Sequence, residues 1–266
     1  MTPQMNEDDV NQFLESKREV FELAIAEIEQ RVGFFIADRG RMCTFSVEQI
    51  ENARIKNPRR VFAKARRKGL PEADDLLQRC DEKDGRRRFP VPDLLGVRVL
   101  VGSLNDVAAM KRALLDLHAR AGEIYPLGNP EDFDVEDMNT DPRPTGYRAL
   151  HVDGSVTIRV ADCDVTIPFE LQVKTLAQHV FGQHTHEEGY VPNEANGDKR
   201  YEVVRLLQTA LAEQLNAADL LLAKVEDVAT ALRDEIGRPP AGRDLNGQAA
   251  SIGSVWRAPG VTSPVS

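Results

Sequence analysis

Residues 147–174, YRALHVDGSVTIRVADCDVTIPFELQVK, decide the fold of this chain. Apolar and polar residues alternate along two runs on either side of a short turn at ADCD, and this pattern is typical of a β-hairpin with one buried face. In the second run, Glu170, Gln172 and Lys174 share one face, whereas Leu171 and Val173 enter the core. Such a strand presents either a solvated polar face or a face that builds a site.

Helices and a further strand are predicted before the hairpin. Apolar residues recur at three- and four-residue spacing from Glu7 to about Val32, which predicts one long amphipathic helix. A second helix is predicted in residues 57–69, NPRRVFAKARRKG, because a proline lies in its first turn and a glycine ends it. Residues 93–102, DLLGVRVLVG, predict a buried strand, and a capped helix follows in residues 103–122.

The remaining segments complete a one-domain prediction. Residues 129–144 are rich in Asp, Glu and Pro and predict a long loop, while a helical period returns from Lys199 to Ile236. The Gly-, Pro-, Ser- and Ala-rich residues 238–266 predict a disordered tail. We therefore expect an α/β domain over residues 1–237, with its core at about 45–192 and helices added at both ends.

Composition excludes several classes of protein. The chain has 266 residues, 41% of them apolar, and a formal net charge of −9, which argues against coating nucleic acid through bulk charge. Its three cysteines, Cys43, Cys80 and Cys163, lack the spacing of a zinc site or a disulfide framework, so a reducing cytoplasm is the expected compartment. The acidic, polar N-terminus predicts neither export nor membrane insertion.

Two acidic residues are candidates for a metal site. Asp93 stands at the start of the predicted strand of residues 93–102, and Glu170 lies on the second strand of the hairpin. Carboxylates on neighbouring strands could share a divalent cation such as Mg²⁺, which prefers oxygen ligands and bridges phosphates.

A basic segment precedes these carboxylates. Residues 54–68 hold many arginines and lysines, among them Arg54, Lys56, Lys64 and Arg67. The segment is either a solvated helix face or a clamp for a polyphosphate, because Arg and Lys neutralise phosphoryl charge in transfer reactions. The loop of residues 142–151, PRPTGYRALH, adds an aromatic ring suited to stacking on a base.

The histidines do not indicate a protease or a zinc enzyme. His179, His184 and His186 do not form HExxH, and the HTH pair does not share a helix face. No GxSxG nucleophile motif occurs either.

Taken in order, four blocks of this sequence resemble the synthetase domain of the RelA/SpoT alarmone synthetases, a branch of the nucleotidyltransferase-like fold. The resemblance covers roughly residues 54–190. The four blocks are RIKNPRRVFAKARRKG, DLLGVRVLV, PRPTGYRALH and ELQVKT.

The resemblance implies a mixed β-sheet flanked by helices and a Mg²⁺-dependent transfer of the β,γ-pyrophosphate of ATP to the 3′-hydroxyl of GDP or GTP. It implies that Asp93 and Glu170 are catalytic and bind the metal, with Glu170 activating the attacking hydroxyl. The implied ATP-binding residues are Arg54, Lys56, Lys64, Arg67 and Arg98. The implied acceptor-binding residues are Arg143, Tyr147, Arg148, His151, Gln172, Lys174, His179 and His186.

The chain departs from the family pattern on the acceptor side. Where the family reads A-M-[DN]-x-W-A-x-x-E-H, this chain has AQHVFGQHTH, so His179, Phe181 and Thr185 replace an acidic or amide residue, a tryptophan and a glutamate. Since a carboxylate pairs well with the donor edge of guanine, these replacements bear on the identity of the acceptor. No His-Asp hydrolase dyad occurs, which indicates a small form with only the synthetase.

Three functions remain open on the sequence. The first is guanosine penta- or tetraphosphate synthesis. The second is a toxic small synthetase that makes adenosine alarmones or modifies the 3′ end of tRNA, with residues 84–89, DGRRRF, as a tRNA contact or a solvated loop and an antitoxin as partner. The third is a degenerate nucleotide-sensing or partner-binding module that uses the terminal helices, which could also form a homo-oligomer.

Overall fold

The computed structural model describes residues 5–42, 45–81, 87–120, 127–187 and 199–237. In these residues the helices are α1 (Glu7–Ser16), α2 (Arg18–Met42), α3 (Pro58–Lys68), α4 (Leu104–Ala119), α5 (Leu176–Glu187) and α6 (Lys199–Gly237). The strands are β1 (Val47–Ile55), β2 (Cys80–Asp81), β3 (Arg87–Arg88), β4 (Leu95–Val101), β5 (Asp134–Asp137), β6 (Leu150–Val160) and β7 (Cys163–Thr175). Short 3₁₀ helices span Ala73–Leu77 and Pro130–Asp132.

A five-stranded mixed sheet in the order β1-β4-β7-β6-β5 carries the fold. β4 and β7 are parallel, and the other neighbouring pairs are antiparallel. β6 and β7 form the predicted hairpin, with Ala161 at a positive φ of 52° in its turn. The predicted α/β class, a mixed sheet flanked by helices with added terminal helices, is confirmed.

The sheet has one apolar and one polar face near its centre. Val97 and Val99 on β4 and Leu171 and Val173 on β7 are buried in the hydrophobic core, as strand alternation predicts. The alternate positions include Arg98 on β4, His151 and Asp153 on β6, and Glu170 and Gln172 on β7, and register places Arg98 beside Gln172 and Gln172 beside His151. These polar positions hold most of the candidate site.

Local signals fix the helices beside the sheet. The side chain of Asn57 accepts a hydrogen bond from the Arg59 amide at the start of α3, and Gly69 ends that helix with a left-handed φ of 71°. α4 begins with a capping box in which Ser103 and Asp106 each bind the other's backbone amide.

Helix α6 is attached near the sheet by polar contacts. Asp219 accepts a hydrogen bond of 2.6 Å from the Thr175 hydroxyl, and the Ala223 carbonyl accepts one of 3.1 Å from the Asn105 amide. Gly146, with a φ of 81°, lies so close to Ala212 that a Cβ at position 146 would collide with the Ala212 side chain. The middle of α6, around Ala212, therefore packs against the loop before β6.

Two sequence-based predictions about elements are wrong, and one strand of the sheet was not predicted. The helix predicted from Glu7 to about Val32 is two helices, since α1 ends at Ser16 and α2 begins at Arg18. The loop predicted for residues 129–144 contains β5, which pairs with β6 at the edge of the sheet. β1 was not predicted, because its sequence, VEQIENARI, carries little apolar alternation.

The chain divides into two compact units, Met1–Glu226 and Asp227–Ser266, and all elements from α1 to α5 belong to the first. The tail predicted for residues 238–266 lies outside the described residues. None of the helices described is both long and apolar enough to cross a membrane.

Candidate active site

Glu170 stands at the centre of a hydrogen-bonded group on the polar face. Its Oε2 lies 3.0 Å from Nδ1 of His151, and its Oε1 accepts a hydrogen bond of 2.5 Å from the Gln172 amide. The other ring nitrogen of His151 lies 3.0 Å from the hydroxyl of Tyr147. Burial alone would raise the pKa of Glu170, but the hydrogen bond and charge of His151, together with Gln172 and Lys64, lower it to about 2.

Gln172 connects this group to a second one built around Arg98. The guanidinium of Arg98 donates to Glu51 at 2.6 Å, lies 3.2 Å from Nδ1 of His179 and approaches the Gln172 carbonyl oxygen at 3.4 Å. Nε2 of His179 lies 3.5 Å from Glu51. Burial and the charge of Arg98 lower the pKa of His179 against the opposing effect of Glu51.

Asp93 and two lysines form the third group. Asp93 lies in the turn before β4, where its Oδ1 accepts a hydrogen bond of 2.7 Å from Nζ of Lys64 and its Oδ2 contacts Nζ of Lys56. Burial lowers the pKa of Lys56, although the charge of Asp93 acts in the opposite direction. The charges of Lys56, Lys64, Asp93 and Glu170 act on one another, so the two predicted catalytic carboxylates share one electrostatic environment.

The carboxylate of Asp93 is occupied by lysines. Each of its oxygens contacts a lysine ammonium group, so a divalent cation could reach this carboxylate only if Lys56 or Lys64 moved to another anion. Within the described residues, no three or more His, Cys, Asp or Glu side chains are arranged to hold a metal ion. Mg²⁺ is commonly held by one or two carboxylates, with phosphates and water as its other ligands.

Asp153 belongs to this polar face and was missed by the sequence interpretation. It pairs directly with Glu170 across β6 and β7. Its Oδ1 atom is buried without a hydrogen-bond partner, and burial together with the charges of Glu170 and Asp93 raises its pKa to about 7. The available signal was strand parity, since Asp153 lies two residues after His151 and therefore on the same face.

Lys174 is buried beneath an aromatic ring. It is only 2% exposed, and its Nζ lies 4.6 Å from the centre of the Tyr147 ring. Burial and the nearby Arg98 lower the pKa of Lys174 to about 7. Lys174 thus contacts the Tyr147 ring. It would influence the binding of an acceptor indirectly, by holding that ring in place.

The remaining predicted site residues that the structure describes form no hydrogen bond or ion pair with Glu170, Arg98 or Asp93. Arg54 on β1 and Arg67 on α3 are exposed, and Arg143 forms an exposed ion pair with Glu136 at 2.6 Å. Arg148 donates a hydrogen bond of 3.0 Å to the Asn139 carbonyl and so supports the loop.

Two predictions fall wholly or partly outside the described residues. The side chain of His186 near the end of α5 is outside them, as is most of the proposed tRNA contact at residues 84–89. Glu51, which binds Arg98, was missed because β1 was missed.

Comparison with known proteins gives a consistent result. A family model described as "Region found in RelA / SpoT proteins" matches residues 53–194, and no curated protein sequence matches the chain. The small alarmone synthetase 1 of Bacillus subtilis bound to its product pppGpp superposes with a TM-score of 0.56 at 18% identity, over 83% of this chain and 97% of that chain. A GTP pyrophosphokinase family protein from Streptococcus pneumoniae gives 0.54 at 19% identity, over 85% and 97%. The Bacillus subtilis synthetase bound to AMPCPP gives 0.51 at 17% identity, over 83% and 97%.

Proposed function

Because this chain belongs to the RelA/SpoT family, we propose that it is an ATP-dependent nucleotide pyrophosphokinase. The proposed reaction moves the β,γ-pyrophosphate of ATP to the 3′-hydroxyl of GDP or GTP. The carrying observation is the position of Glu170, which is fixed on both oxygens beside the Asp93–Lys56–Lys64 group. Related structures contain pppGpp and AMPCPP, which supports nucleotide substrates of this kind.

The basic side chains fit the donor half of the reaction. Lys56 and Lys64 present ammonium groups beside a carboxylate, and Arg54 and Arg67 add exposed guanidinium groups. A triphosphate needs such neutralisation, because charge on its oxygens must be stabilised as the pyrophosphoryl group leaves. Asp93 and Glu170 would hold Mg²⁺ once nucleotide is bound, and the ion would supply further neutralisation of the triphosphate charge.

Glu170 fits the acceptor half of the reaction. With a pKa of about 2 it stays ionised at neutral pH, so it can accept a hydrogen bond from the 3′-hydroxyl and hold that oxygen in line with the β-phosphorus. The new bond joins the 3′-oxygen to the β-phosphorus, and the bond from that phosphorus to the α,β-bridging oxygen breaks and releases AMP. The hydroxyl proton passes to Glu170. A low pKa makes Glu170 a weak base, so positioning contributes more than proton abstraction.

Tyr147 is the proposed stacking platform for the acceptor base. One face of its ring meets Lys174, and its hydroxyl is held by His151, so the ring has a defined orientation. An aromatic ring fixed in this way can stack on any base, since each has a π-face. Tyr147 therefore supports binding of a nucleotide without deciding which one.

One observation favours a different acceptor. Both ring nitrogens of His179 face Arg98 and Glu51, so this imidazole is engaged within the protein, and its lowered pKa favours the neutral form. A carboxylate or amide at this position would suit the donor edge of guanine better. An adenosine nucleotide or a tRNA 3′ end is therefore the second candidate acceptor, with the same transfer chemistry.

The deciding experiment incubates the full chain and Mg²⁺ with γ-labelled ATP and, separately, GDP, GTP, ADP or deacylated tRNA. We expect label on GDP or GTP and none in the Glu170→Gln variant. Label on ADP or tRNA alone would replace the favoured acceptor by the second. No transfer to any of the four would contradict the proposed activity and favour the nucleotide-sensing alternative.

A further inference from the structure

Gln178 fixes the start of helix α5, where β7 ends. Its Oε1 accepts a hydrogen bond of 3.2 Å from the Thr175 backbone amide, and its own backbone amide donates one of 3.2 Å to the Thr175 hydroxyl. This reciprocal pair is a capping box, which satisfies two backbone amides at the start of a helix. Gln178 is only 5% exposed. The capping box uses the oxygen of its side chain, and the Nε2 group makes a different contact.

The Nε2 group of Gln178 binds the turn that follows β5. It donates a hydrogen bond of 2.6 Å to Oδ1 of Asn139. The Nδ2 group of Asn139 donates to Oδ1 of Asp137 at 3.1 Å, and Asp137 also accepts a hydrogen bond of 2.8 Å from Lys111. An ionised carboxylate only accepts hydrogen bonds, so the Asn139 amide is oriented with its NH₂ group toward Asp137 and its oxygen toward Gln178.

The same turn holds the loop that carries Tyr147. The Asn139 carbonyl accepts a hydrogen bond of 3.0 Å from Nη1 of Arg148. The Met138 amide donates one of 2.9 Å to the Ala149 carbonyl. Because Arg148 directly follows Tyr147, the turn after β5 fixes the backbone beside the proposed stacking ring.

Helix α5 lies against the same ring and carries His179 directly after Gln178. Both ring nitrogens of His179 have protein partners, which hold it in place at the start of α5. One turn further, Gly182 lies so close to Tyr147 that a Cβ at position 182 would be 3.6 Å from the ring. The hydrogen bond between Gln178 and Asn139 therefore joins two parts of the proposed acceptor site, the loop with Tyr147 and the helix with His179.

Helix α6 anchors this connection. The Thr175 hydroxyl, which accepts the hydrogen bond from the Gln178 amide, donates one of 2.6 Å to Oδ2 of Asp219. Asp219 is buried. Seven residues earlier on α6, Ala212 packs against Gly146 in the loop before β6. Helix α6 therefore supports both the start of α5 and that loop.

We propose that Gln178 and Asn139 are positioning residues, whose hydrogen bond holds the Tyr147 ring at a fixed place relative to α5 and so preorganises the acceptor site. The inference rests on the proposed function, in which Tyr147 stacks on the acceptor base. Without the bond, binding of the acceptor would have to order the loop and the helix, and this ordering costs affinity. The lysines proposed to bind ATP contact Asp93 instead, so the donor half of the site is held by different contacts.

Isothermal titration calorimetry at pH 8 tests the inference. GDP, GTP, ADP or deacylated tRNA is titrated into the full chain with Mg²⁺ and saturating AMPCPP, whose α,β-methylene bridge cannot be cleaved in the proposed reaction. Asn139→Ala removes the acceptor of the Gln178 hydrogen bond while retaining the backbone contacts of residue 139 and the cap of α5. The Kd for the acceptor that binds the parent most tightly should rise by about 3- to 10-fold, which corresponds to one net hydrogen bond. The Kd for AMPCPP, titrated alone, should not change.

Gln178→Glu is an independent second variant and covers the case in which Asn139→Ala loses its fold. Glutamate retains an acceptor for the Thr175 amide and so retains the capping box, and the start of a helix favours its ionised form. It places an oxygen instead of an NH₂ group against Oδ1 of Asn139. We expect an increase in the acceptor Kd of at least the same size. The double variant should bind the acceptor no more weakly than the weaker single variant, because both changes remove the same hydrogen bond.

Ser103→Ala is the matched control. Ser103 is buried and caps α4 by accepting a hydrogen bond of 3.3 Å from the Asp106 amide, so its loss costs stability away from the network. A thermal melt should detect this loss, while the Kd for the acceptor stays at the parental value. An unchanged acceptor Kd in both Asn139→Ala and Gln178→Glu, equal weakening of acceptor and AMPCPP, additive losses in the double variant, or a parent that binds none of the four acceptors would overturn the inference. Calorimetry needs no transfer, so this result is independent of whether the parent shows the proposed activity.

Discussion

Nδ1 of His151 lies 3.0 Å from Oε2 of Glu170, and the two side chains are only 15% and 12% exposed. They come from adjacent antiparallel strands, where His151 pairs with Gln172 rather than with Glu170 itself. The contact is therefore diagonal, and the Gln172 amide holds the other Glu170 oxygen. The sheet thus fixes the orientation of the carboxylate before any substrate binds.

The first prediction concerns Glu170→Gln. Transfer should fall by at least about 10²-fold, because the variant loses the charge and basicity that orient the hydroxyl. The melting temperature at pH 7 should also fall by a few degrees. A folded pKa of about 2 means that the ionised carboxylate stabilises the fold above its ordinary pKa, by about 1–3 kcal/mol. Strand packing alone would predict almost no loss of stability.

Initial-rate labelling with the best acceptor and a thermal melt test this prediction. Glu48→Gln is the control, since Glu48 is an exposed carboxylate on β1. More than about a tenth of parental activity in Glu170→Gln would exclude the proposed role.

The second prediction is that metal binding requires nucleotide. Both oxygens of Asp93 contact lysine ammonium groups, and the described residues offer no ready set of three or more metal ligands. A triphosphate would attract Lys56 and Lys64 and supply the missing oxygen ligands. Mn²⁺ binding can be titrated by electron paramagnetic resonance with protein alone, with AMPCPP alone and with both together. The mixture should bind Mn²⁺ at least about 10-fold more tightly than independent binding to protein and to AMPCPP predicts.

Asp93→Asn should abolish that gain in Mn²⁺ affinity. Lys64→Met should weaken AMPCPP binding more than acceptor binding. Lys68→Met, at the exposed end of α3, is the control and should change neither AMPCPP binding nor acceptor binding. If the protein bound Mn²⁺ equally tightly with and without nucleotide, Lys56 and Lys64 would not need to move from Asp93 to the phosphates, and the prediction would be wrong.

The central strands of the sheet were predictable from the sequence, and the two edge strands were not. β4, β6 and β7 have strong alternation or continuous apolar runs, because their side chains enter the core. β1 and β5 lie at the sheet edges, where one neighbouring strand supplies the hydrogen bonds and polar residues are tolerated. Tertiary pairing, rather than local pattern, makes them strands.

The site shows the same division. Strand parity correctly placed Glu170, Gln172 and Lys174 on one side of β7. It could not show that Gln172 would bridge Glu170 to Arg98, or that Lys174 would be covered by Tyr147, because these contacts depend on strand order and on the loop before β6.

The third prediction concerns Asp153→Asn. The folded pKa of Asp153 is raised to about 7, so the folded state retains a proton that the unfolded chain has lost above about pH 4. Ionised Asp153 therefore costs stability, and the amide removes that cost. The stability gain of Asp153→Asn over the parent should grow from about pH 4 to about pH 7 and then stay constant, reaching on the order of 1–3 kcal/mol.

Urea unfolding in a metal-free buffer at pH 5, 6, 7 and 8 measures this gain. Asp162→Asn in the exposed hairpin turn is the control and should show no such trend. A gain that is flat across this range would mean that Asp153 is not held in a protonated state.

The fourth prediction is that Lys174→Met behaves in the opposite way with pH. Burial lowers the folded pKa of Lys174 to about 7, whereas the unfolded side chain titrates near 10.4. Below pH 7 the folded protein holds a buried charge, and methionine of similar length should stabilise it. Between about pH 7 and pH 10 the lysine is neutral in the folded protein but still charged in the unfolded chain. The parent therefore becomes more stable as the pH rises, and the stability difference in favour of Lys174→Met becomes smaller.

A functional cost should accompany this gain in stability. A methionine side chain cannot place a cation under the Tyr147 ring, which lies 4.6 Å from the Lys174 ammonium, so the orientation of the proposed stacking platform would loosen. At pH 6, where Lys174 carries its charge, we expect the KM for the acceptor to rise by about 3- to 10-fold, in keeping with a cation–π contact of about 0.5–1 kcal/mol or more, with the KM for ATP unchanged. Urea unfolding from pH 6 to pH 9 and initial rates at varied acceptor and ATP separate the two effects. If the KM for the acceptor were unchanged in Lys174→Met, Lys174 would have only a structural role. A general loss of stability would not raise the KM for the acceptor while leaving the KM for ATP unchanged.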